Sequence, residues 1–210
     1  MDDKTALVVQ LFGKNARLYE EKFMDTQGYQ NALDVFCRHI PRQEANILEL
    51  ACGPGNITRY LLHLRPDFRV LGTDLSPDML DLARKNNPGA IFQLLDCTDM
   101  TTLPDRYDGI MVGFLLPYLS QEATVKLVRD AVSMLQPGGV LYLSTMEDDY
   151  TKSGWRKSST GDDYYQYFHQ GAWLQQVLQE HGFHVVHEQR IASANGDGTP
   201  VTDLILIASL

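Results

Sequence analysis

Cysteine is scarce in this 210-residue chain: only Cys37, Cys52 and Cys97 occur. They are odd in number, scattered, and in no CxxC or CxxH spacing. A disulfide framework and a cysteine-based metal site are therefore not expected, and reduced thiols point to the cytoplasm. Basic charge is also short: 18 Lys and Arg stand against 27 Asp and Glu, a formal net charge of −9. No basic run or patch offsets this, which excludes a nucleic-acid backbone as the expected partner, though not a basic protein. No apolar run reaches the roughly 20 residues needed to span a bilayer. The opening Met1-Asp2-Asp3-Lys4 is acidic where a secretory leader is basic, and the apolar run after it, Ala6 to Val9, is too short for a leader core. Repeats and low-complexity segments are absent too. What remains is ordinary: 44% hydrophobic and 21% charged residues, enough chain for one domain with its own core.

One stretch organises the rest. Ile47 to Ala51 is a short apolar run that reads as a buried strand, broken at Gly53-Pro54-Gly55. A helical pattern then resumes, with Ile57, Leu61 and Leu64 at spacings of four and three. Strand, glycine turn, helix is the opening of a nucleotide-binding βαβ unit. Glycine suits such a turn because a Cβ would hold a ligand off the backbone, and because the turn needs unusual φ/ψ. The helix N-terminus then offers unpaired N–H groups. The dinucleotide pattern G-x-G-x-x-G is incomplete, since Thr58 stands at its third glycine. Glu49 adds a second signal. An acid inside an apolar strand is costly without a partner, which a cationic ligand amine or hydrogen bonds from the loop would supply.

Glu49-x-Ala51-x-Gly53-x-Gly55 resembles the first motif of the class I S-adenosylmethionine-dependent methyltransferases, an acid followed by three alternating glycines. Ala51 stands where that pattern has its first glycine. The resemblance runs from about Ile47 to the C-terminus. It implies S-adenosyl-L-methionine as cofactor, bound around Glu49, Ala51, Gly53 and Gly55. Asp74 lies 21 residues beyond Gly53 at the end of the next expected strand, Phe68 to Thr73, where a carboxylate accepts from both ribose hydroxyls. Ser76-Pro77 already reads as a helix cap. Leu75 and Met79 then make an apolar wall for the adenine. The third expected strand, Ile91 to Leu95, ends in Asp96-Cys97, where the family has an acid reading the adenine amino group; Asp99 competes with Asp96 for that role. The resemblance also draws Cys97 and Phe114 to the cofactor. N-terminal helices in the family cap the cofactor, which implicates Tyr19; packing against the sheet is its other reading.

The expected N-terminal cap covers residues 1–44, with helical pieces over 4–25 separated at Gly13 and a helix from Tyr29 to Ile40 ended by Pro41. Residues 45–210 form the expected cofactor-binding core. After the fourth strand, Tyr107 to Val112, comes Leu116-Pro117-Tyr118, without the polar residue and double proline of enzymes that methylate base or amide nitrogens. That departure speaks against such targets and leaves Tyr118 as a pocket residue. A helix over Gln121–Leu135 precedes Pro137-Gly138-Gly139, a family landmark that is a turn, and a fifth strand, Val140 to Thr145. Residues 147–171 are expected to form an aromatic lid: seven of the chain's twenty aromatics lie between Tyr150 and Trp173. Trp155, Tyr165 and His169 are its candidate substrate residues; a cover over the sheet end or an oligomer contact is the alternative. A helix from Gly171 to His181 and strands over Phe183–Ile191 and Val201–Ser209, joined by Asn195-Gly196-Asp197-Gly198, complete the chain. The last two strands must be antiparallel. His184 and His187 are expected on opposite strand faces and form no metal pair.

The expected fold is a single α/β domain, a Rossmann-like seven-stranded, mostly parallel sheet with an antiparallel last strand and helices on both faces. The expected function is methyl transfer to a small molecule by a monomer or homodimer in the cytoplasm, with no metal, no membrane and no nucleic acid. No catalytic base is identified. The alternatives are a non-catalytic S-adenosylmethionine-binding subunit or sensor, and a nicotinamide-dependent oxidoreductase, which would want a glycine at Thr58.

Overall fold

The computed structural model describes residues 3–194 and 200–210. Helices α1 (Asp3–Lys14), α2 (Ala16–Phe23) and α3 (Gln30–Arg38) precede the sheet. Then follow β1 (Asn46–Leu50), α4 (Asn56–Leu64), β2 (Arg69–Asp74), α5 (Pro77–Asn86), β3 (Ile91–Leu94) and β4 (Tyr107–Val112). The second half holds α6 (Gln121–Met134), β5 (Leu135–Glu147), β6 (Gly154–Lys157), β7 (Asp163–Gln166), α7 (Gly171–Glu180), β8 (His184–Ala194) and β9 (Pro200–Ser209).

The apolar run that opens the glycine turn is the middle of the sheet. β1 pairs in parallel with β2 on one side and β4 on the other. The full order is β3-β2-β1-β4-β5-β9-β8, and β9 is antiparallel to both its neighbours. A central parallel strand is covered on both faces, which is why β1 is apolar without alternation. Leu48 and Leu50 pack with Ile110, Val128, Ala131 and Leu178 on the α6–α7 side. Ile47 packs with Leu33, Phe36, Leu61 and Tyr142 on the α3–α4 side. The doubly covered sheet is the fold that the sequence implied.

Several boundaries differ, each for a local reason. The N-terminal helices separate at Asn15, not at Gly13, which stays helical. A Cβ on Gly13 would lie 2.9 Å from Asp78 Oδ2, so this glycine marks the close approach of α1 to α5 rather than a break. On α4 the buried positions are Thr58 and Leu61, whereas Leu64 is 39% exposed at the last turn. β5 starts at Leu135, before the Pro-Gly-Gly turn, because Leu135 already pairs with Tyr107; the register shifts between Tyr107 and Gly109. On β8 a register shift between Val185 and His187 makes Val186 a bulge. His184 and His187 therefore oppose Ser209 and Ile207, two apart on β9, and share a face instead of falling on opposite ones. The expected turn at Asn195–Gly198 lies outside the described residues.

The aromatic segment is partly regular. A 3-10 turn at Tyr150–Lys152 leads into an antiparallel β6–β7 hairpin. Lys14 Nζ reaches Asp162 Oδ1 at 2.9 Å, and the Asn15 amide reaches Thr160 Oγ1 at 3.4 Å, so the end of α1 meets the hairpin tip. The Tyr167 N–H donates to Pro117 O at 2.8 Å, joining the segment to the loop after β4.

Candidate functional site

A cavity of about 1520 Å³ runs along the carboxyl edge of the sheet, roofed by α1, α2 and the β6–β7 hairpin. It has two chemically different ends.

At the first end the wall is largely backbone. Three residues of the turn after β1 are left-handed: Ala51 at φ 52°, Gly53 at 54° and Gly55 at 79°. Gly55 caps α4, and a Cβ there would meet Asn87 Nδ2 at 2.3 Å. Ala51 holds a conformation that costs a residue with a Cβ roughly 1–2 kcal/mol, strain of the kind found at functional turns. Asp74 closes the turn from β2: Oδ2 accepts the Gly53 N–H at 2.9 Å and Oδ1 the Ser76 N–H at 2.8 Å. Burial raises the Asp74 carboxyl, against these backbone donors. Its oxygens thus organise the loop while the residue lines the cavity. Leu75, Met79, Asp96 and Cys97 also line this end. Asp96 caps its own turn, accepting from the Thr98 N–H at 2.9 Å. Asp99 is exposed and is not part of the wall. Burial, then the charge of Asp96, pushes the Cys97 thiol up to about 12.

Tyr19 lies over the glycine turn, its ring 3.8 Å from where a Gly53 Cβ would stand. Burial and the Asp74 charge push its hydroxyl up to about 12, so it stays a neutral phenol. Phe114 lines the cavity at the end of β4 with φ 52°, and the buried Ser144 hydroxyl accepts its N–H at 2.8 Å.

Glu49 is not in the cavity wall. It is buried behind the turn, where Thr58 Oγ1 on α4 donates to its carboxyl. Of the two partners open to it, the structure supplies a hydrogen bond from the following helix. Burial outweighs that bond and pushes the carboxyl up to about 8. Thr58, read from the sequence only as a missing glycine, is the side chain that makes Glu49 tolerable. An acid and a hydroxyl nine residues apart, strand to helix, was the available signal.

The second end is built from side chains. Phe12 packs edge-on to both Tyr19 and Tyr118, and Tyr118 is 6.4 Å from Tyr164. Burial raises the Tyr118 hydroxyl. Tyr29 and Asp203 face the cavity together, Tyr29 Oη donating to Asp203 Oδ2 at 2.9 Å. Neither was singled out in the sequence.

Three expected substrate residues are not in the wall. Trp155 is 55% exposed and packs on Tyr165. Strand alternation explains this: Tyr164 and Gln166 face the cavity, while Tyr165 between them turns outward against Trp155 and the Lys4 ammonium, 3.5 Å from its ring. His169 is fully buried; its Nε2 lies 3.1 Å from Leu116 O and 3.0 Å from Leu119 O. Burial lowers its pKa, and its Nδ1 has no hydrogen-bond partner among the described residues. It fastens the loop after β4 and stands outside the cavity.

The arrangement suits a cationic nucleoside-like ligand. Acids at strand ends offer acceptor oxygens, a Cβ-poor turn leaves the backbone open, and Leu75 and Met79 add apolar surface.

Residues 47–139 match the sequence profile of the methyltransferase domain. A trans-aconitate 2-methyltransferase of Methylobacterium nodulans is 36% identical over 120 residues, 57% of this chain and 45% of that protein. A malonyl-[acyl-carrier protein] O-methyltransferase of Acetivibrio thermocellus is 28% identical over 69% of this chain and 50% of its own length. The chain thus matches half or less of these relatives. In fold it resembles the 1,6-didemethyltoxoflavin N1-methyltransferase of Burkholderia thailandensis, solved with S-adenosylhomocysteine, at a TM-score of 0.73 and 20% identity over 98% of this chain and 88% of that one. Glycine turn, strand-end acids, sheet order and the profile match over residues 47–139 agree with the fold of the class I S-adenosylmethionine-dependent methyltransferases.

Proposed function

We propose that the protein transfers the methyl group of S-adenosylmethionine to a small-molecule acceptor. One observation carries this reading: the turn-and-acid end and the aromatic end share one cavity, so a cofactor and an acceptor would meet inside it. When bound, the cofactor supplies a methyl on a cationic sulfur that departs as a neutral thioether. The chain's part is to align and desolvate. Asp74 and Asp96 accept from the ribose and the base, and Gly53 and Gly55 let the ligand lie against the turn. Tyr19, Phe114 and Tyr118 keep water from the meeting point. Holding two reactants in line contributes up to about 10 kcal/mol to such a displacement.

The name of the trans-aconitate relatives favours a small acceptor, and so does the chain's acidity. A cytoplasmic monomer or homodimer, without nucleic acid, belongs to the same reading. Among the described residues no helix is long and apolar enough to cross a membrane. The aromatic end argues against a subunit that only holds the cofactor. Thr58, hydrogen-bonded to the buried Glu49, stands where a nicotinamide loop has its third glycine.

The test is calorimetric titration with S-adenosylhomocysteine, then incubation of methyl-labelled S-adenosylmethionine with fractionated cell extract. Binding followed by label in the small-molecule fraction is expected. Label on protein or nucleic acid overturns the acceptor class, binding without transfer supports the cofactor-holding subunit, and no binding overturns the cofactor.

A further inference from the structure

The aromatic end contains one buried amide that the reading above does not use. Gln166 is the last residue of β7 and is 4% exposed. It lines the cavity together with its two side-chain partners, Tyr164 and Met146. Tyr164 Oη donates to Gln166 Oε1 at 3.3 Å. Gln166 Nε2 donates to Met146 Sδ at 2.9 Å. Burial raises the Tyr164 hydroxyl, which keeps Tyr164 a neutral donor. The next residue along the chain, Tyr167, donates its N–H to Pro117 O at 2.8 Å, so the amide is carried beside the loop that holds Tyr118.

An amide has two N–H donors and a carbonyl oxygen that accepts twice. Here one donor meets only a thioether, a weak acceptor, and the other has no hydrogen-bond partner among the described residues. The oxygen is half used, by Tyr164. A buried polar group in this state is costly unless something entering the cavity completes it. An amide sets N–H and C=O side by side in one plane. Their complement is a carbonyl next to an N–H or O–H, as on the edge of a lactam. A carboxylate fits less well, because it only accepts and sets its second oxygen against Gln166 Oε1. The rings of Phe12, Phe114, Tyr118 and Tyr164 in the same wall suit a flat molecule.

We propose that Gln166, held in place by Tyr164, determines specificity in the acceptor site. The acceptor class is a flat ring bearing a carbonyl beside an N–H or O–H, read by the Gln166 amide. The inference rests on the methyl-transfer reading and deepens it.

The experiment uses the full chain saturated with S-adenosylhomocysteine, titrated with 2-quinolinone, 1-methyl-2-quinolinone and 2-naphthoate. Binding of S-adenosylhomocysteine itself is measured first; its failure would count against the methyl-transfer reading and not against the role of Gln166 alone. With the cofactor product bound, 2-quinolinone is expected to bind about tenfold more tightly than its N-methyl derivative, which keeps the carbonyl and lacks the N–H. Gln166→Met, apolar and of similar size, is expected to collapse that ratio while leaving affinity for S-adenosylhomocysteine within about twofold. Tyr164→Phe frees the amide to turn and is expected to lower the ratio in the same direction; it answers the question should the Gln166 variant not fold. The proposal is overturned if neither quinolinone binds, if the wild-type ratio is near one, if both variants leave it unchanged, or if 2-naphthoate binds more tightly than 2-quinolinone.

Discussion

The two ends of the cavity are made differently. The cofactor end is a turn with left-handed backbone at Ala51, Gly53 and Gly55, closed by one strand-end carboxylate, so its shape is written in φ angles and main-chain N–H groups. The acceptor end is a collection of rings and one buried acid, drawn from α1, the start of α3, the loop after β4, the hairpin and β9. A backbone-built end tolerates few substitutions and serves one ligand. A side-chain-built end can be altered residue by residue without touching the fold, which suits an acceptor that differs among relatives.

The largest expected effect lies behind the cofactor end. Glu49 has its carboxyl raised from 4.5 to about 8 in the fold. Below about 4.5 both folded and unfolded chains hold the proton, and the stability is intact. As pH rises, the unfolded chain releases its proton first, so stability falls until about 8, by up to roughly 1.4 kcal/mol per pH unit. Urea unfolding of Glu49→Gln across pH 5–8 should show this slope removed; an identical slope in both proteins would mean that Glu49 is solvated. Next comes Gly55→Ala. It places a Cβ on Asn87 and forces alanine into φ 79°, and should cost about 3 kcal/mol in denaturant unfolding. A loss under about 0.5 kcal/mol would show a turn less fixed than the comparison requires.

Asp74→Ala should weaken S-adenosylhomocysteine by about 1–3 kcal/mol in a titration, through lost charged hydrogen bonds and a loosened turn. Unchanged affinity would remove Asp74 from the site. Ala51→Gly should stabilise the fold by up to about 1 kcal/mol, since glycine takes φ 52° without strain; its melting temperature tests this. The smallest effect is expected outside the cavity: Trp155→Ala should change stability by less than about 0.5 kcal/mol and leave cofactor affinity alone. Loss of cofactor affinity there would bring the hairpin's outer face into the site.

Much of the fold was legible because strand and helix patterns are local. The β1 run, the Ser76-Pro77 cap and the amphipathic α6 are each visible in a dozen residues. The strand-end acids were legible because they stand at fixed spacings from a recognisable turn. Trp155 and Tyr165 were misplaced because composition marked the segment as aromatic, while the face each ring takes depends on hairpin register. The faces taken by His184 and His187 were misjudged because a bulge shifts the alternation by one. His169 was drawn to the site by its residue type, although its partners are carbonyls about 50 residues away in the chain.

By itself, then, the sequence determined the order of elements, the glycine turn and the acids at the ends of β1, β2 and β3, since these follow from short-range periodicity and backbone chemistry. Only the tertiary structure decided that Tyr164 rather than Tyr165 faces the cavity, and that Tyr29 meets Asp203 across 174 residues of chain. Those contacts depend on which strands lie side by side at the sheet edge, and no spacing along the chain encodes that.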